Sequence, residues 1–140
     1  MSPAPTPRTR RGRTGIAAEA VARRYLDSLG WTILGVNLVA GRGELDLVAV
    51  DPDAPGVLVV VEVRGARSDR FGRPEESVDR RKLARVQESA LALLRSDWRD
   101  RVAAAHVRAV RIDVIAVELD PSIGPGMGGP QVRHLRGVDT

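Results

Sequence analysis

The chain has 140 residues, 43% of them hydrophobic and 29% charged, with two histidines and no cysteine. That is the length of one domain and enough apolar material for one core. Without cysteine there is no disulfide or thiolate metal site, and two histidines cannot complete a zinc cluster without carboxylates, so a bound metal would be held mainly by oxygen.

The formal net charge is +4 and the pI near 10.8, and every one of the 22 basic side chains is arginine except Lys82. Arginine forks onto phosphate bidentately and keeps its charge, so this balance favours polyanionic partners; GC-rich coding that exchanges Lys for Arg would leave the same composition. Aromatic residues are 3% of the chain, too few for a base-stacking platform. The N-terminal stretch MSPAPTPRTRRGR lacks the apolar segment of a signal peptide, and no run approaches the roughly 20 apolar residues that span a bilayer. The expected location is the cytoplasm, with no membrane partner.

Residues 1–12, Pro-rich and basic, predict a disordered arm that touches phosphate or is a simple tail. From Thr14, a plausible N-cap, Ile16, Ala20, Val21, Leu26 and Leu29 form the apolar stripe of a helix that stops at Gly30. WTILGVNLV, ELDLVAV and VLVVVEVR then read as three strands, the last two joined across the turn-forming DPDAPG as a hairpin. After the Arg- and Gly-rich GARSDRFGRPEES, helical spacing returns from about Ser77 to Asp97 through Val78, Leu83, Val86, Ala90, Leu91 and Leu94. VRAVRIDVIAVEL is a further strand, DPSIGPGMGGP a flexible loop, and QVRHLR a short strand at the edge. The order α-β-β-β-α-β, with that optional last strand, predicts a three-layer α/β domain over 13–120 with a mixed central sheet flanked by helices, and a tail over 121–140.

The strand GELDLVAV carries Glu44 and Asp46 among apolar residues, and Glu62 follows sixteen positions after Asp46 in the next strand. Residues two apart share a face, which pairs Glu44 with Asp46 and Glu62 with Arg64. Across an antiparallel hairpin, opposed residue numbers sum to a constant, here close to 107 or 108. A sum of 108 sets Asp46 against Glu62 and Glu44 against Arg64; a sum of 107 sends the pairs to opposite faces. Buried lone carboxylates are costly, so acids inside apolar strands normally meet a cation or a metal. Two or three carboxylates on neighbouring strands suit Mg²⁺ or Mn²⁺ and phosphodiester hydrolysis. A Glu44–Arg64 salt bridge, with Asp46 capping the Gly41-Arg42-Gly43 turn, satisfies the same spacing.

The succession GRTGIAAEAVARRYLDSLGWTIL, GELDLVAV, VVVEVRGAR, SVDRRKLARVQESA and RIDVIAV resembles the YraN-type family of small bacterial proteins. That family is related to the restriction-endonuclease-like nucleases, including archaeal Holliday-junction resolvases. The likeness covers about Gly12 to Leu119 and implies a restriction-endonuclease-like fold. By position it implies Asp46 and Glu62 as metal-binding and catalytic acids, the Val63 carbonyl as a further ligand, and Glu19 as a helical glutamate joining the metal. Lys82 and Arg85 match the family's basic positions toward a phosphate backbone, and Arg67, Arg70 and Arg73 supply a basic loop around the pocket. The third motif residue, usually lysine, is here Arg64, whose guanidinium cannot serve as a base but can orient water or stabilise charge. Asp113 resembles a recurring family position, though the adjacent Arg111 offers it an ion pair; His106 and His134 stand singly, as surface or cap histidines do.

Two functional classes follow. One is a Mg²⁺- or Mn²⁺-dependent nuclease acting on structured or branched DNA, paired as a homodimer as resolvase-like relatives are. The other is a non-catalytic nucleic-acid-binding or assembly module that keeps the nuclease fold around an impaired site.

Overall fold

The computed structural model describes residues 12–66, 79–101, 106–119 and 131–138. The N-terminal arm, apart from Gly12, and the basic loop with Arg67, Arg70 and Arg73 lie outside the described residues. Among the described residues, five strands form one sheet in chain order: β1 (Thr32–Ala40), β2 (Gly43–Val50), β3 (Val57–Ala66), β4 (Ala109–Glu118) and β5 (Gln131–Leu135). The helices are α1 (Gly12–Ser28), α2 (Arg80–Arg95) and the short α3 (Trp98–Arg101), the last not foreseen from sequence. Only the β3–β4 pair is parallel, so the sheet is mixed; α2 and α3 fall within the connection that such a pair requires.

Three layers result because both faces of the sheet are apolar. Ala18, Ala22 and Leu26 of α1 pack with Leu47, Ala49, Val59, Val61, Ile115 and Val117. On the other face Val86, Ala90 and Leu93 of α2, with Trp98, pack with Leu45, Val48, Leu58, Val60 and Ile112. The uninterrupted run Leu58 to Val61 is fully buried, as expected of a central strand covered on both sides. Each such side chain contributes roughly 2 kcal/mol of hydrophobic stabilisation, and α1 and α2 are fixed against the sheet by these stripes.

The helix ends are set by local chemistry. Gly30, at φ 81°, closes α1 with the Trp31 N–H donating to the Leu26 carbonyl at 3.1 Å and the Gly30 N–H to Asp27 at 3.0 Å, a Schellman arrangement. Asp79 caps α2, its carboxylate accepting the Arg81 N–H at 2.7 Å. Where α2 crosses β2, a Cβ on Gly43 would lie 2.9 Å from Ser89 Oγ, so glycine sets how closely the helix approaches the strand. Among the described residues no helix is long and apolar enough to cross a membrane.

Candidate active site

The hairpin takes the register in which opposed numbers sum to 108: Leu47 faces Val61, Val48 faces Val60 and Ala49 faces Val59. Continued by one residue, that register brings Asp46 to Glu62. The backbone ladder between β2 and β3 goes no further than Leu47 and Val61, and a side chain takes its place: Asp46 Oδ2 accepts the Val63 N–H at 2.9 Å. The Gly41-Arg42-Gly43 turn is therefore not what fixes this carboxylate. Both acids are buried, Asp46 at 2% exposure and Glu62 at 5%. Burial and, next, the negative charge of Asp46 raise the Glu62 pKa above the ordinary carboxylate value, opposed by Lys82 and Arg64. Two acids thus share one small volume against electrostatic resistance.

Cations flank the pair. Lys82 Nζ stands 3.4 Å from Glu62 Oε2, reaching over from the first turn of α2. Arg64, two residues along β3 on the Glu62 face, has a buried Nε with no hydrogen-bond partner among the described residues. Arg85 is exposed on α2. Glu19 lies on the other side of the strand pair: its Oε1 accepts from Asn37 Nδ2 at 3.2 Å. Asn37 has a positive φ of 51°, and the β1–β2 pairs Val36–Leu47 and Leu38–Leu45 bracket it opposite Asp46. The structure therefore brings together Asp46, Glu62 and Lys82, while Glu19 is bonded to Asn37, which stands opposite Asp46 across β1 and β2. Among the described residues no three His, Asp or Glu side chains converge as a metal-holding group.

Two carboxylates suffice for a partly hydrated Mg²⁺ or Mn²⁺, ions that commonly take one or two protein carboxylates and keep waters. Asp46 and Glu62 fit such an ion by donor type and by their mutual repulsion, which a divalent cation would relieve. Sequence reasoning missed Lys82 as the partner of Glu62, although Lys82 is the one ammonium-bearing side chain and precedes the buried Val86 by a helical turn. It also missed Asn37, whose signal was a turn-prone residue inside a strand.

A second polar cluster lies on the α1 side of β4. Asp113, fully buried, accepts from Arg111 Nε at 2.9 Å, from His134 Nε2 at 2.8 Å and from the Gly137 N–H at 3.0 Å. Nε2 donates to this carboxylate, and Nδ1 is hydrogen-bonded with the Tyr25 hydroxyl at 3.0 Å. Arg111 also reaches Asp51 at 3.3 Å and lies over Trp31, as does Arg136. His134 is thus no surface histidine but a buried bridge from α1 to β4, its side chain 5% exposed. The Arg111–Asp113 ion pair expected from sequence is present. Burial would raise the Asp113 pKa, yet the His134, Arg111 and Gly137 hydrogen bonds outweigh it and hold the carboxyl below its ordinary value.

Fold and site together define a three-layer α/β domain with a buried acidic pair where β2 and β3 part. The model of the Uncharacterised protein family UPF0102 matches residues 18–117, and the chain belongs to that family, the YraN-type family of the resemblance. Its relatives include a UPF0102 protein of Beutenbergia cavernae, 41% identical over 124 residues, covering 89% of this chain and 93% of the relative. A UPF0102 protein of Pseudomonas savastanoi pv. phaseolicola is 40% identical over 117 residues, covering 82% and 87%. One from Cytophaga hutchinsonii is 36% identical over 104 residues, covering 74% and 82%.

Proposed function

We propose that this chain is a metal-dependent nuclease acting on the phosphodiesters of structured or branched DNA, with Asp46 and Glu62 as its metal-binding acids. The observation that carries this reading is the buried carboxylate pair at the end of the β2–β3 ladder, where Asp46 Oδ2 is held by the Val63 N–H at 2.9 Å and Glu62 is kept hard to ionise. A structural role alone does not require two neighbouring acids at 2% and 5% exposure. Asp46 and Glu62 would hold Mg²⁺ or Mn²⁺, which when bound would supply Lewis-acid activation of water and neutralisation of charge at the phosphate. The protein's part is to orient: Asp46 is locked by the backbone and Glu62 by Lys82, and Arg64, two residues along β3 from Glu62, would offer a guanidinium suited to developing charge on a bound phosphate. Arg85, with Arg67, Arg70 and Arg73 of the preceding loop, would track the phosphate backbone. Glu19 would join through the ion's water shell. A homodimer would present two such sites to a two-fold junction.

The alternative is a non-catalytic nucleic-acid-binding or assembly module. It draws on Arg64, which cannot lose a proton to activate water as the more usual lysine can. A cleavage panel separates the two: branched, linear and single-stranded DNA and RNA, incubated with Mn²⁺. The nuclease reading expects branched DNA to be cut in preference to linear duplex by about tenfold or more. Binding with no cleavage of any substrate would leave the module reading in its place.

A further inference from the structure

The chain's only ammonium-bearing side chain, Lys82, touches Glu62 of the acidic pair. Lys82 lies four residues before Val86 and eight before Ala90, both buried against the sheet, so its side chain leaves the same face of α2 toward β3. Its Nζ is 3.4 Å from Glu62 Oε2 while its side chain keeps 43% exposure, so it touches the site and still opens to solvent. Its neighbours Arg80, Arg81 and Arg85 are exposed. On β3, where a motif lysine would stand, Arg64 carries a planar guanidinium with its Nε buried and, among the described residues, without a partner.

We propose that Lys82 is the lysine of this site, a catalytic residue supplied by α2 instead of β3. An ammonium carries three donors; Glu62 takes one, and the others reach a non-bridging oxygen of the scissile phosphate and the attacking water. As a compact charge on a flexible stem, it follows the phosphate as charge grows, which the planar fork of Arg64 does less well. In the hydrolysis the water oxygen bonds to phosphorus and the ester P–O bond breaks. The water's proton passes to solvent, and the leaving oxygen takes a proton from solvent. Lys82 acts by charge and orientation.

This assignment rests on the nuclease reading and is tested with the full chain and the best-cleaved substrate of the panel. Single-turnover cleavage with Mn²⁺ and binding of the same DNA with Ca²⁺ are measured for wild type, Lys82→Gln and Lys82→Gln/Arg64→Lys. In Lys82→Gln, cleavage is expected to fall about 100-fold while the dissociation constant changes less than about threefold; Arg64→Lys should return about tenfold of the lost rate. Rate and affinity falling together would mark a backbone contact and overturn the assignment, as would an unchanged rate or no regain in the double variant. If Lys82→Gln alone is normal while wild type cleaves, only the role of Lys82 fails. If wild type cleaves nothing, the nuclease reading fails and this assignment with it.

Discussion

Asp113→Asn is expected to destabilise the protein by about 3 kcal/mol, lowering Tm by roughly 10 °C at neutral pH. The asparagine keeps the shape of the side chain but removes the charge that meets Arg111 and His134, and it turns an NH₂ group toward one of these donors. The same carboxylate holds the Gly137 N–H at 3.0 Å, next to the Val138 N–H bonded to the Ile112 carbonyl at 2.9 Å, so release of the β5 end should follow. The sign with pH is fixed by direction. Because the folded pKa of Asp113 is lowered, its stabilisation is present above its ordinary value of 3.8 and is lost as pH falls through the folded value. Thermal melts from about pH 7 downward should therefore show wild type converging on the variant only in strong acid. A Tm loss of less than about 3 °C at neutral pH would mean that the cluster is no anchor.

The acidic pair is expected to behave in the opposite way. Asp46→Asn and Glu62→Gln should each reduce metal-dependent cleavage by about a thousandfold, some 4 kcal/mol of transition-state stabilisation, without unfolding the chain. Asparagine at 46 can still accept the Val63 N–H, which alanine would leave buried and unpaired. Glu62 has a raised folded pKa, so its stability contribution is greatest below its ordinary value of 4.5 and declines as pH rises through the folded value. Glu62→Gln should consequently match or exceed wild-type Tm at about pH 8, while its activity is lost. A Glu62→Gln protein clearly less stable than wild type at that pH, yet active, would show the carboxylate to be an ordinary structural ion-pair member.

These contrasting behaviours explain what was legible in the sequence. Face alternation identified Asp46 and Glu62 as potential neighbours, because a strand's period of two is strict, but the hairpin constant was open by one unit. What decides it is the turn: Asp51 accepts the Asp53 N–H at 2.9 Å through its side chain and the Ala54 N–H at 3.0 Å through its carbonyl, and Gly56 takes φ 82°. That geometry is not written in apolar periodicity. Helix stripes showed which face of α2 is buried, yet the sequence could not tell a solvated run, Arg80 to Lys82, from one cation turned inward, since the difference depends on where α2 crosses β3. His134 was misread for the same reason: its partners Tyr25 and Asp113 lie 109 and 21 residues away, and only the antiparallel docking of β5 on β4 brings them to it.

Whether Asp46 and Glu62 hold a divalent cation is read most directly by thermal unfolding during a Mn²⁺ titration at about pH 8. For wild type, stability should rise by about 2.7 kcal/mol once the ion reaches roughly a hundred times its dissociation constant, a Tm gain on the order of 8 °C. The Asp46→Asn, Glu62→Gln double variant should show no gain. An equal rise in both proteins, or none in wild type, would contradict a metal site at the end of the β2–β3 ladder.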